Sequence, residues 1–83
     1  MRTGDTYLLM MYRFGDALSR ALRVRGLTIQ ELARLAGVAP ATASAAVNGR
    51  AVQITSATRI ARAVREVRVV SELETWSDHP ELE

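Results

Sequence analysis

The 83-residue chain contains no cysteine. Disulfides, thiolate metal sites and a thiol nucleophile are therefore excluded. Histidine occurs once, as His79 beside Pro80 in a polar stretch. A single imidazole with no companion ligands does not make a metal set, and neither a metal nor a cofactor is expected. The longest apolar run, Tyr7 to Tyr12, is far short of the ~20 residues a membrane-spanning helix needs. It also lacks the basic flank and small-residue cleavage site of a secretory signal. No membrane partner is expected, and the expected compartment is the cytoplasm. There is no phosphate-cradling glycine loop and no carboxylate pair in a supporting context. The chain has no visible catalytic set, so neither an enzyme nor a small-molecule ligand is expected.

Lysine is also missing: all eleven basic residues are arginine. They fall before residue 71, where only four acids accompany them. The other five acids lie in residues 71–83, which hold no base. A basic body suits a polyanionic partner. The acidic end would screen that body from non-specific contacts or simply aid solubility.

What is present is helical spacing. Asp5 or Thr6 can cap a first helix, with apolar residues at Met10, Met11, Phe14, Ala17, Leu18, Ala21 and Leu22. Steps of three and four place them on one face. Gly15 falls inside this helix, and Gly26 reads as its C-cap. The helix is expected over 6–25, or over 12–25 if its first turns are separate. Thr28 and Glu31 form a capping box, so a second helix is expected over 29–36 with Leu32, Leu35 and Ala36 facing inward. Pro40 suits a first helical position, and Asn48-Gly49 is a stop, which gives a third helix over 40–48. Thr55 or Ser56 can cap a fourth, with Ala57, Ile60, Ala61 and Val64 on its inner face. Arg59, Arg62 and Arg65 lie on the other faces, as a solvated surface or as phosphate contacts. Beyond Val67, the residues Val69, Val70, Leu73 and Trp76 fit a short fifth helix, although Val67 to Val70 could equally begin a strand. The expected fold is an all-α, compact domain of four to five helices. Residues 1–66 form the domain, and residues 67–83 form a C-terminal segment with an acidic tail.

The interval between the second and third helices carries the functional signal. Two helices crossing steeply need a small residue where they touch and a turn residue tolerant of positive φ. Ala33 and Gly37 supply these, and Ala43, Ala46 and Val47 continue inward. The third helix is then presented outward, where its N-terminal half can enter a DNA major groove.

The run Thr28-Ile-Gln-Glu-Leu-Ala-Arg-Leu-Ala-Gly-Val38, with Ala41-Thr42 and Val47-Asn-Gly49, resembles the helix-turn-helix of the lambda repressor/Cro (XRE-like) family. It is also locally similar to the Lac repressor headpiece. The flanking helices favour the lambda-repressor-like arrangement, and the resemblance spans about residues 13–65. It implies that Pro40, Ala41, Thr42 and Ser44, with Ala45 beside them, approach base edges. Many relatives have glutamine at the second position of the first motif helix. Here that residue is Ile29, and Gln30 is its nearest substitute, beside Thr28. Asn48 matches a phosphate-touching asparagine, and Arg50 and Gln53 fall in a loop that skirts the DNA backbone. This recognition helix is poor in the Arg, Lys, Asn and Gln that usually read bases. Discrimination is therefore expected to draw on Arg50, Asn48 and DNA shape, with arginines adding salt-dependent affinity. Ser44 has a second possible use, bonding its own helix backbone.

The resemblance implies a double-stranded operator as partner and a homodimer on DNA. Tyr7–Tyr12 or Val69–Trp76 is the candidate dimer surface. The expected function is sequence-specific transcriptional regulation, as a phage or prophage repressor or Cro-like protein. The alternatives are an antitoxin, or an interaction module that has lost DNA binding.

Overall fold

The computed structural model describes residues 10–75. Its described elements are β1 (Met11–Tyr12), α1 (Asp16–Arg23), α2 (Ile29–Ala36), α3 (Pro40–Val47), β2 (Val52–Gln53), α4 (Ile54–Glu66) and α5 (Ser71–Thr75). The expected helical domain is present, with one small antiparallel ribbon added. In that ribbon Met11 pairs with Gln53 and Tyr12 with Val52.

The ribbon corrects the expected first helix. Met10 and Met11 are not on a helical face, because β1 bonds its backbone across to β2. Gly15 is not interior but the N-cap of α1, with φ −91 and ψ −170. Extended backbone there stops the helix from running back towards Phe14. The expected caps at Asp5 and Thr6 lie outside the described residues. At the other end Val24, not Gly26, is the C-cap. Gly26 takes a left-handed φ of +67 two residues later and turns the chain into α2.

Local chemistry bounds α2 and α3. The Thr28 hydroxyl accepts from the Glu31 N–H at 3.1 Å, and the Glu31 carboxylate accepts from the Thr28 N–H at 2.9 Å. This capping box satisfies two otherwise unpaired donors. Gly37 ends α2 in the left-handed region, with φ +71 and ψ 35. Pro40 opens α3, where its missing N–H costs nothing. Asn48 is the C-cap, so α3 stops one residue short of the expected end.

The core joins α1 through α4. Leu18, Leu22, Leu32, Ala33, Ala43, Ala46, Val52, Ala57, Ile60 and Val64 are all buried. Leu32 and Ile60 are the largest fully buried side chains. Burying such side chains supplies about 1.5–3 kcal/mol each. Ala43 and Ala46 have no exposed surface, so at these two positions α3 contributes only a methyl to the contact with its neighbours.

Three inner-face expectations are overturned, the first being Ala17, which is exposed on α1. Leu35 is 56% exposed, whereas Ala33 is buried. At 3.6 residues per turn the centre of the buried stripe falls between Leu32 and Ala33 and Ala36, which leaves Leu35 on its outer flank. Likewise Ala61 is exposed, and Ala63 takes the inward position. The expected cap at Thr55 or Ser56 is also replaced. Gln53 is the N-cap of α4 without a side-chain bond, and the Ile54 N–H donates to the Met10 carbonyl of the ribbon.

The segment after α4 is not a strand. Val67 is the C-cap of α4, and a short helix follows at Ser71–Thr75. The connection is tied to the end of α1. The Val70 N–H donates to the Val24 carbonyl at 2.8 Å. Arg25 donates from Nε to the Val67 carbonyl and from a terminal nitrogen to the Ala21 carbonyl, both at 3.0 Å. Trp76 lies outside the described residues. Among the described residues no helix is long and apolar enough to cross a membrane.

Candidate nucleic-acid interface

The candidate interface draws on the start of α2 and on the exposed residues of α3. Thr28 and Gln30 are exposed in the first turn of α2. Because the Thr28 oxygen accepts from Glu31, its hydroxyl proton stays available to an external acceptor such as a phosphate oxygen. The Glu31 carboxyl is held below its usual range, first by the Thr28 backbone N–H, then by the Thr28 side chain and by Arg34. It therefore stays ionised as a cap.

On α3, Pro40 and Ala41 are exposed, while Thr42, Ser44 and Ala45 are half-buried. Ala45 is less open than expected, because it packs against the core. Ser44 does not bond its own helix through its hydroxyl. Instead Asn48 donates from Nδ2 to the Ser44 carbonyl at 2.9 Å and to the Ser44 hydroxyl oxygen at 3.3 Å. Asn48 is exposed, but part of its amide is spent on the last turn of α3.

The chain after α3 is held in place. Gly49 adopts φ +76, and the Arg50 N–H reaches back to the Ala45 carbonyl at 2.9 Å. The Arg50 side chain is exposed. Gln53 then enters the ribbon opposite Met11. The result is a groove with Ala41, Thr42 and Ala45 on one wall and Gln53, Ser56 and Met11 on the other. Of the residues named from sequence, the groove gathers Ala41, Thr42, Ala45 and Gln53. Thr28 and Gln30, at the start of α2, do not line it.

Sequence reasoning missed Ser56 and Met11. Neither has a local signal: Met11 reaches the groove through its pairing with Gln53, 42 positions away in the chain, and Ser56 through the placement of the first turn of α4 beside α3. A second hollow brings Ser19 and Arg23 of α1 beside Thr28 and Val47. The arginine run at the end of α1 was a usable hint for Arg23. Arg25 in the same run is tied to carbonyl oxygens instead. Arg59, Arg62 and Arg65 are all exposed on α4.

A family model described as Helix-turn-helix matches residues 20–69, more than half of the chain. No curated protein and no solved structure shows significant similarity to it. The matched stretch opens in α1, closes just beyond α4 and contains the whole α2–turn–α3 unit. The chain belongs to the helix-turn-helix family of the Cro/C1 type, a family of DNA-binding regulators.

Proposed function

We propose that this protein is a sequence-specific regulator of transcription that binds double-stranded DNA as a homodimer, in the manner of a phage repressor or Cro-like protein. The carrying observation is the relation of α2 to α3. Gly37 turns the chain, Ala43 and Ala46 are fully buried, and Pro40 and Ala41 are left outward at the start of α3. That is the arrangement in which the second helix of such a motif enters the major groove by its N-terminal half.

In this reading Pro40, Ala41, Thr42, Ser44 and Ala45 approach base edges. Thr28, Gln30, Asn48, Arg50 and Gln53 contact the DNA around them. Methyl groups of Ala41 and Thr42 suit thymine methyls, and Arg50 suits phosphate. Dimerisation draws on Val70 and Leu73, which remain 38% and 43% exposed on and before α5. Sedimentation at tens of micromolar tests that part: a dimer supports it, and monomer alone opposes it.

The test of the DNA reading is binding to fragments of the source genome as salt rises. Affinity should fall steeply with salt, since each neutralised phosphate releases counterions, and one fragment should be preferred. No binding to any fragment at low salt would sink it.

A second reading, an antitoxin that binds both its promoter and a protein, has one observation in its favour. An apolar hollow between Tyr12, Phe14, Ile54, Thr58 and Ala61 lies beside the ribbon, and Tyr12 and Ile54 are 46% and 37% exposed. Co-purification of a stable, stoichiometric toxin partner encoded beside the gene would favour this reading over the first.

A further inference from the structure

We propose that Gln53 is the principal base-reading side chain of this protein and that it selects adenine in the major groove; this rests on the DNA-binding reading above. The exposed start of α3 carries no side chain suited to bidentate readout. Bidentate readout requires a planar group that donates and accepts together, or donates twice. The exposed start of α3 offers Pro40 and Ala41, and behind them the hydroxyl of Thr42. None of these is such a group. Asn48 has the right chemistry, but its donor nitrogen is already bonded to the Ser44 carbonyl and hydroxyl.

Gln53 has the same chemistry and keeps it free. It is exposed, and among the described residues its amide makes no hydrogen bond. It lines the groove opposite Ala41, Thr42 and Ala45, so it faces the same space as the start of α3. Arg50 and Gln30, the other exposed planar groups of the candidate interface, do not line that groove.

The position of Gln53 is also built. Its backbone pairs with Met11, the preceding Val52 is 5% exposed, and the following Ile54 N–H is bonded to Met10. Side chains carried on a fixed element are aimed more closely than those on a free loop. A glutamine amide there can accept from adenine N6 and donate to adenine N7. The methyl groups of Ala41, Thr42 and Ala45 across the groove suit the thymine methyls of neighbouring pairs.

The experiment is selection from a pool of duplexes carrying a randomised 20-base-pair core, sequenced after binding to the full chain. The core length, roughly two helical turns, spans two half-sites. The wild type should enrich a motif with adenine at one position of each half-site. Gln53→Ala should lower that preference by roughly 10- to 100-fold and leave the other positions alone. Gln53→Met, which keeps the length of the side chain without its amide, should do the same and guards against a folding defect in the first variant. Gln53→Glu should move the preference to cytosine, whose N4 donates to a carboxylate. An unchanged adenine preference in both amide-free variants, with unchanged thermal melting, overturns the assignment while the DNA reading stands. If the wild type enriches no motif, the DNA reading falls and this assignment falls with it.

Discussion

The side-chain nitrogen of Asn48 donates to the carbonyl oxygen of Ser44 at 2.9 Å and lies 3.3 Å from the Ser44 hydroxyl oxygen. The two residues therefore act on each other at the end of α3. Asn48→Ala removes the second of two donors to the Ser44 carbonyl, which still accepts the Asn48 backbone N–H at 3.0 Å. The bond is exposed, so its loss should cost about 0.5 kcal/mol, the low end for a hydrogen bond. A melting temperature lower by about 2–4 °C is the expected reading in a domain of this size. The order of preferred DNA sequences should not change, because the amide is already engaged.

Gly37 supplies a conformational prediction. Nothing lies within 4 Å of a Cβ built there, so space is not the constraint. The φ of +71 is. Gly37→Ala should lose about 1–2 kcal/mol, read as a lower urea midpoint with an unchanged slope. Gly37→Asn should lose less, since asparagine tolerates the left-handed region.

Leu32 and Leu35 separate the buried face of α2 from its flank. Leu32 has no exposed surface, and Leu35 is 56% exposed. Leu32→Ala should cost about 2–5 kcal/mol, enough to unfold much of so small a domain. Leu35→Ala should stay within about 0.5 kcal/mol of the wild type. Equal losses from the two would mean that α2 packs in a different rotation.

This pair also marks where sequence reasoning succeeded and where it failed. The bounds of α2 were legible because the capping box of Thr28 and Glu31 and the turn at Gly37 are local chemistry. The start of α3 was legible at Pro40 for the same reason. The rotation of α2 was not, because Leu35 and Leu32 both satisfy a helical period and only packing chooses between them. The ribbon was hidden more deeply. Met11 and Gln53 become partners through the whole fold, and a short apolar run such as Met10 to Tyr12 suits helix or strand equally. The site inherits this division. Thr28 and Thr42 are named by the motif, whereas Met11 reaches the groove only through the ribbon and Ser56 only through the packing of α4.

Acid should weaken the α2 cap. The Glu31 carboxyl is held below its ordinary value mainly by its bond from the Thr28 backbone N–H. A depressed folded pKa gives stability that is present above the unfolded value, about 4.3, and is lost as pH falls through the folded one. Glu31→Gln lacks that titrating group. Melting temperatures of the two proteins should differ near neutrality, with the wild type higher, and should converge as pH falls below about 4. A constant difference across that range would mean that the carboxylate does not contribute through its charge.

Arg50 and Thr42 divide affinity from selectivity. Arg50→Ala should weaken binding to every duplex and reduce the salt slope by about 1, as expected for one lost phosphate contact. Thr42→Ala should alter which sequences are preferred, or how strongly, while the domain stays folded. If both substitutions left operator binding intact in folded protein, the DNA face would have to lie elsewhere.

The face itself is tested most directly by titrating isotope-labelled protein with duplex DNA and following each backbone amide by NMR. The largest shifts should fall at Thr28 to Gln30, at Ala41 to Ala45 and at Asn48 to Gln53. Shifts confined to Arg59, Arg62 and Arg65 on the outer side of α4, with the start of α3 unmoved, would contradict the assignment of α3 as the helix presented to DNA.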